Sequence, residues 1–209
     1  MNGPPPLRIE DREIFHTLAA IELNSIAQGV ETLDAILKEA PVRVLLGEPS
    51  SPGKYLILFT GEVDEASRSL RRSIEIAGET LVDELLLPAA APGLQDALRG
   101  EAPAVAAREG EDLPALGLLE TYTGPSLLGA ADTAVKTGET TLLDLHLLSG
   151  IGGKATALLA GDVESVRVAI TAGAAFAEER GLLARRVVIP RPDRGMAPFL
   201  RRGAARSRQ

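Results

Sequence analysis

Cysteine is absent from all 209 residues. Disulfides are therefore excluded, as are cysteine-ligated zinc and iron–sulfur centres. Tryptophan is missing too, and aromatic residues make up only 3%, which argues against a surface that stacks on bases or sugars. Imidazole comes from His16 and His146 alone. No acid/base pair or metal-ligating cluster stands out, so no catalytic residue, metal site or cofactor is expected. Positive charge is in deficit: 22 Lys and Arg against 29 Asp and Glu give a net charge of -7. That balance favours solubility and disfavours a general nucleic-acid coat. No apolar run nears the ~20 residues of a membrane helix. The stretch Met1–Glu10 is polar and Pro-rich, unlike a signal peptide. Neither nucleic acid nor membrane is an expected partner, and the cytoplasm is the expected compartment.

What the chain does contain is a duplication. Leu18-Ala19-Ala20-Ile21-Glu22 is matched by Leu116-Gly117-Leu118-Leu119-Glu120, and Asp34 and Lys38 by Asp132 and Lys136, at a spacing of 98 (132 − 34 = 98). Gly53-Lys54 is matched by Gly153-Lys154, and Gly61-Glu62-Val63 by Gly161-Asp162-Val163, at 100 (153 − 53 = 100). A two-residue insertion thus separates these marks in the second copy. The expected division is a disordered leader over 1–15, a first domain over 16–99, a linker over 100–113, a second domain over 114–200 and a basic tail over 201–209. With 45% hydrophobic residues, two modest cores can be filled by Leu, Ile, Val and Ala.

In copy one, His16–Leu23 reads as a strand. Ser25 and Gln28 form a capping box, and Ile26, Val30, Leu33 and Leu37 recur at helical spacing up to Pro41. Val42–Leu46 and Tyr55–Thr60 read as strands joined by the loop 47–54. Val63, Ala66, Leu70, Ile74 and Ala77 mark a second helix, capped by Asp64. Leu81–Leu87 is a fourth strand and Leu94–Leu98 a short helix. Copy two repeats this order: strand 116–121, helix 126–137 with Leu127, Ala131 and Val135 inward, strands 141–148 and 155–160, helix 162–180 and strand 183–189. The alanines from Ala172 to Ala177 suggest close packing on the sheet. The order β-α-β-β-α-β is the ferredoxin-like arrangement. The expected class is α/β (α+β), with a four-stranded antiparallel sheet and helices in each copy.

The loops ending at Lys54 and Lys154 are the richest features. Gly153-Lys154 invites a phosphate-loop reading, but the pattern requires Gly at position 148, which is Leu, and Ser or Thr at 155, which is Ala. Hairpin glycines at positive φ are the plain alternative. Ser50 and Ser51 lack the surroundings of a catalytic nucleophile, and His146 reads as a hydrogen-bonded structural residue. Lys38 and Lys136 occupy equivalent helix ends, where the dipole favours a cation; equivalent positions also suit an assembly edge. Arg191 is held between Pro190 and Pro192.

Taken in order, Asp132-Thr133-Ala134-Val135-Lys136, Gly150-Ile151-Gly152-Gly153-Lys154, Ala160-Gly161-Asp162-Val163 and Val188-Ile189-Pro190-Arg191-Pro192, with Asp34–Lys38 and Ser51–Tyr55 in copy one, resemble the bacterial microcompartment shell proteins of the tandem-domain, trimer-forming type. The resemblance runs from His16 to Leu200. The unpermuted element order is similar to the flat single-disc branch, which includes the cluster-binding shell protein of diol-utilising compartments. It implies a homotrimer that forms a pseudohexagonal tile and meets other shell proteins, hexamers and pentamers, in a polyhedral shell. It implies a central pore for small metabolites, lined by Ser50, Ser51, Pro52 and Gly53 from copy one and Ser149, Gly150, Ile151, Gly152 and Gly153 from copy two. Lys38, Lys136 and Arg191 fall at the family's tile-edge positions. Copy one departs from the pattern, since its last strand runs into Leu87-Pro88-Ala89-Ala90 without a Pro-Arg-Pro. Where the cluster-binding branch places a cysteine before Pro-Gly-Lys, this chain has Ser51, so an open pore without a cluster is implied, tuned by Glu48 and Lys54 if they reach it. A ferredoxin-like small-molecule-binding regulator is the second reading.

Overall fold

The computed structural model describes residues 15–103, 113–147, 152–197 and 200. Copy one runs β1 (Leu18–Leu23), α1 (Ile26–Glu39), β2 (Arg43–Ser50), β3 (Lys54–Thr60), α2 (Val63–Ala77), β4 (Leu81–Leu87) and α3 (Pro92–Leu98). Copy two runs β5 (Ala115–Thr121), α4 (Gly124–Thr137), β6 (Thr141–His146), β7 (Ala155–Gly161), α5 (Val163–Glu179) and β8 (Leu183–Ile189). The sheets have the orders β2-β3-β1-β4 and β6-β7-β5-β8, with every neighbouring pair antiparallel. Two four-stranded antiparallel sheets with helices, in tandem, are what the sequence implies. The expected leader falls outside the described residues except for Phe15. Most of the linker, the whole tail and the loop residues Ser149, Gly150 and Ile151 also fall outside them.

Strand alternation gives each sheet two faces. In copy one, Ala19, Ile21, Leu23, Ile57 and Phe59 turn toward α1 and α2 and form one core with Ile36, Ala66 and Leu70. The opposite face, with Leu18, Ala20, Leu56, Leu58 and Leu85, belongs to a different core. That core is shared with Leu127, Leu128 and Ala131 of α4 and with Leu94 and Leu98 of α3. Copy two, together with α3, therefore covers the sheet face that α1 and α2 leave open. On this account β1 is wholly buried.

Four local expectations are corrected. β2 continues through Pro49 to Ser50, leaving a loop of only Ser51, Pro52 and Gly53 instead of eight residues. Proline is tolerated there because β2 is an edge strand with one side free of a ladder. The N-cap of α2 is Glu62, in a reciprocal capping box with Glu65, while Asp64 lies inside the first turn. Helix α4 starts at Gly124 under a Thr123 cap, two residues before Ser126, because Pro125 is well placed in a first turn. Most telling, Ile26, Val30 and Leu37 are 43%, 55% and 52% exposed; the inward line of α1 is Gly29, Thr32 and Ile36.

The small residues of α5 bring it against α4 as well as the sheet. A Cβ on Gly173 would sit 2.5 Å from the Ala130 carbonyl oxygen and 2.8 Å from Leu119 Cδ1. Backbone cannot yield as a flexible side chain does, so Gly173→Ala is expected to destabilise the chain by about 1–3 kcal/mol. A urea midpoint unchanged from the parent would show that α5 stands further from α4 than this geometry requires.

Candidate functional site

The two Gly-Lys loops are drawn together at the junction between the copies. Glu22, on β1, is 4% exposed. Its Oε1 lies 2.9 Å from Lys54 Nζ, and its Oε2 accepts a 2.7 Å hydrogen bond from the backbone N–H of Gly124, the first residue of α4. A carboxylate at a helix N-terminus is favoured by the free N–H groups and the dipole. Lys54 Nζ also donates to the carbonyl oxygens of Tyr122, at 2.8 Å, and Gly153, at 3.3 Å. Lys54 thus ties its own β1 to both loops of copy two. Burial pushes the Glu22 carboxyl above its ordinary value; Lys54 and the Gly124 N–H pull against that, and the neighbouring Asp83 adds to it.

Asp83, on β4 beside Glu22, is the second anchor. Its Oδ2 accepts from Thr123 Oγ1 at 2.5 Å and from Ser126 Oγ at 2.7 Å, while its Oδ1 lies 2.6 Å from Arg180. Arg180 also donates to the Glu84 carbonyl at 2.5 Å and lies over the Phe176 ring, 5.6 Å from its centroid. Both carboxylates of copy one thus meet donors of copy two.

Of the residues proposed from the sequence to line a pore, the described ones, Ser50, Ser51, Pro52, Gly53, Gly152 and Gly153, lie at one corner of this junction. Ser50 ends β2, with its hydroxyl buried and unpartnered among the described residues. Ser51 is half-buried, while Pro52 and Gly53 are exposed. Gly53 has φ 86°, a backbone region that glycine enters freely. In copy two, Gly152 and Gly153 have φ 65° and 80°. A Cβ on Gly153 would sit 2.7 Å from Pro52 Cδ, so the two loops touch. Glu48 is exposed, whereas Lys54 is consumed by the junction rather than presented as an open cation.

The three edge residues are dispersed and differ in their bonding. Lys38 is exposed and, among the described residues, paired only with Asp34, at 2.6 Å. Lys136 pairs with Asp132 at 2.6 Å and also donates to the Ala89 carbonyl of copy one, where Asp132 Oδ1 accepts from the Ala91 N–H at 2.7 Å. Its role is therefore partly internal. Arg191 is exposed in the bend after β8. Burial raises the Asp144 carboxyl above its ordinary value, and His146, two residues on along β6, pulls against that. Among the described residues there is no group of three metal-binding side chains, and no helix is long and apolar enough to cross a membrane.

Sequence reading did not single out Glu22, Asp83, Thr123 or Arg180. A signal was present for the first, since Glu22 and Lys54 recur together as Glu120 and Lys154. No such signal marks Asp83, whose side-chain partners lie 40 to 97 residues away.

A doubled α+β unit whose polar machinery is spent on binding one copy to the other is a structural building block. Known proteins agree. The BMC domain family matches residues 17–90 and again 115–192. The chain is 38% identical to the bacterial microcompartment shell protein PduT of Citrobacter freundii over 179 residues, 86% of this chain and 94% of that protein. A crystal structure of a microcompartment protein from Desulfitobacterium hafniense DCB superposes with a TM-score of 0.73 at 38% identity, over 88% of this chain and 98% of that one. The shell protein EutM of Escherichia coli is 39% identical over 80 residues, 38% of this chain and 80% of EutM. The chain belongs to the BMC-domain family of bacterial microcompartment shell proteins. It is a structural shell component of that cytoplasmic compartment and not an enzyme.

Proposed function

We propose that three chains close into a pseudohexagonal tile whose central pore passes small metabolites, and that tiles join other shell proteins, hexamers and pentamers, at edges carrying Lys38, Lys136 and Arg191. The modules so arranged are the stretches 16–99 and 114–200. The observation that carries this reading is the contact between Pro52 and Gly153. One loop from each copy meets the other, so repetition of that contact around an axis gathers six loops about its centre. Chains that join by unlike faces close into a cyclic ring when the rotation between neighbours divides the full circle. Ser51, Pro52, Gly53, Gly152 and Gly153, with Ser50 behind them and Ser149, Gly150 and Ile151 beside them in sequence, would give a rim without charged side chains, suited to polar solutes.

The test is assembly itself. Native mass measurement is expected to give a trimer, and electron microscopy at higher concentration is expected to give sheets perforated at the tile centres. Lys38→Ala combined with Arg191→Ala is expected to abolish sheets while sparing the trimer and shifting stability by less than about 0.5 kcal/mol, since both side chains are exposed. A monomeric parent protein would sink the proposal. A trimer lost in the double variant would show that these residues belong to the ring and not to its rim.

A further inference from the structure

The junction inside the chain has a second, unmade edition on its outer faces. On α4 the line Gly124, Leu128, Ala131, Val135 (i, i+4, i+7, i+11) meets the copy-one sheet face, and Leu128 and Ala131 are 0% exposed there. The equivalent line on α1, each residue 98 earlier (124 − 98 = 26), is Ile26, Val30, Leu33 and Leu37, with three of the four largely exposed. The receiving face is repeated as well. Ala20, Leu58 and Leu85, all buried in copy one, correspond to Leu118, Leu158 and Val187 in copy two, where Leu118 is 38% exposed and the other two are half-buried. Lys154 and Glu120 repeat the Lys54–Glu22 pair at 3.2 Å, but their side chains are 40% and 26% exposed against 15% and 5%. One chain thus carries an apolar helix face without a sheet, and a sheet face that neither α1 nor α4 covers, although Leu158 there packs on the Leu113, Leu116, Leu143 and Ala160 cluster that Met196, Ala197 and Leu200 also join.

The charges do not repeat; they invert. Glu22 stands opposite Asp83 across β1 and β4, and Glu120 stands opposite Arg185 across β5 and β8. Arg185 therefore occupies the place of Asp83, and it is exposed. The cation that meets Asp83 is Arg180, which follows α5 within a two-residue insertion. Copy one closes α2 with Ala77, Gly78 and Glu79 and has no cation there; Glu79 is exposed. In the places of Thr123 and Ser126, α1 offers Ser25 and Gln28 (123 − 98 = 25; 126 − 98 = 28), and the Gln28 amide nitrogen is already spent on Ile76 and Glu31. Its oxygen remains chemically able to accept.

We infer that α1 of one chain seats on the Leu118–Leu158–Val187 face of a second copy of this chain, with Arg185 of the sheet received by Glu79 and the Gln28 amide oxygen of the arriving copy. This inference rests on the trimeric reading above and supplies its contact chemistry. It also explains why the order alternates. If two second copies met, Arg185 would face Arg180. If two first copies met, Asp83 would face Glu79. Like charges at such a seam act against the wrong pairing, so copy one follows copy two around the ring.

The experiment is a dilution series by native mass spectrometry on the parent chain, Arg185→Glu and Arg185→Glu with Glu79→Arg. Arg185→Glu is expected to weaken the trimer at least tenfold while the thermal melt of the dissociated chain stays that of the parent, because Arg185 is exposed within one chain. The double variant is expected to regain most of the loss. A parent trimer with an equally tight Arg185→Glu variant, or a double variant no better than the single, overturns this seam and leaves the tile standing. A parent that never associates overturns both.

Discussion

Lys54→Met is expected to destabilise the isolated chain by about 3 kcal/mol at neutral pH. The lysine is the only side-chain cation bonded to Glu22 among the described residues, and removing one member of a buried ion pair leaves the other charge uncompensated. The pH dependence tests the cause. Burial already raises the Glu22 carboxyl above 4.5, and loss of Lys54 raises it further. A group whose folded pKa is raised supports the fold below its unfolded value and loses that support as pH rises through the folded value. The deficit of the variant against the parent is therefore largest above the raised pKa and shrinks as pH falls toward and below 4.5. Urea denaturation of both proteins across that range is the measurement. A deficit independent of pH would mean that the lysine stem, and not its charge, is what copy two requires. Methionine keeps most of that stem, which makes the comparison clean.

Val30→Asp is expected to split the trimer into monomers, with the association constant falling by about a hundredfold or more. Valine at this place is 55% exposed within one chain, so the change in unfolding free energy should stay within about 0.5 kcal/mol. In the proposed ring it enters an apolar contact, where an unpaired carboxylate costs several kcal/mol, and about 1.4 kcal/mol is a factor of ten. The same substitution at the equivalent Leu128, which is 0% exposed, is expected to prevent folding. Sedimentation across a concentration series separates the outcomes. If Val30→Asp trimerises as the parent does, the α1 face is not an interface, whatever else holds the ring together.

These two residues also show where sequence legibility ends. The duplication, the element order and both sheets could be read because hydrophobic periodicity and turn residues are local signals. The direction of α1 could not. Ile26, Val30, Leu33 and Leu37 have the spacing of a core stripe, and a stripe destined for a neighbouring chain has the same spacing. The placement of Gly29 beneath Tyr55, with Thr32 and Ile36 on the same line, shows which side turns inward. The end of β2 was obscured for a different reason. Gly47 and Pro49 are turn-forming residues used here within an edge strand. The junction carboxylates were hidden by distance, since Glu22 and Gly124 are 102 positions apart and nothing near either announces the other. The repeat of Glu22 and Lys54 as Glu120 and Lys154 was the one usable clue, and its strength lies in the pairing rather than in either residue.

The unequal bonding of the two helix-end lysines carries a further implication. Among the described residues Lys38 has only Asp34, while Lys136 is also engaged by the Ala89 carbonyl. In a plate made from six identical units, every corner must change when one codon changes. In the proposed tile a codon governs alternate corners only, so one set can drift toward a new neighbour while the other keeps the old one. Fusion turns a uniform paving stone into one with two independently inherited kinds of joint.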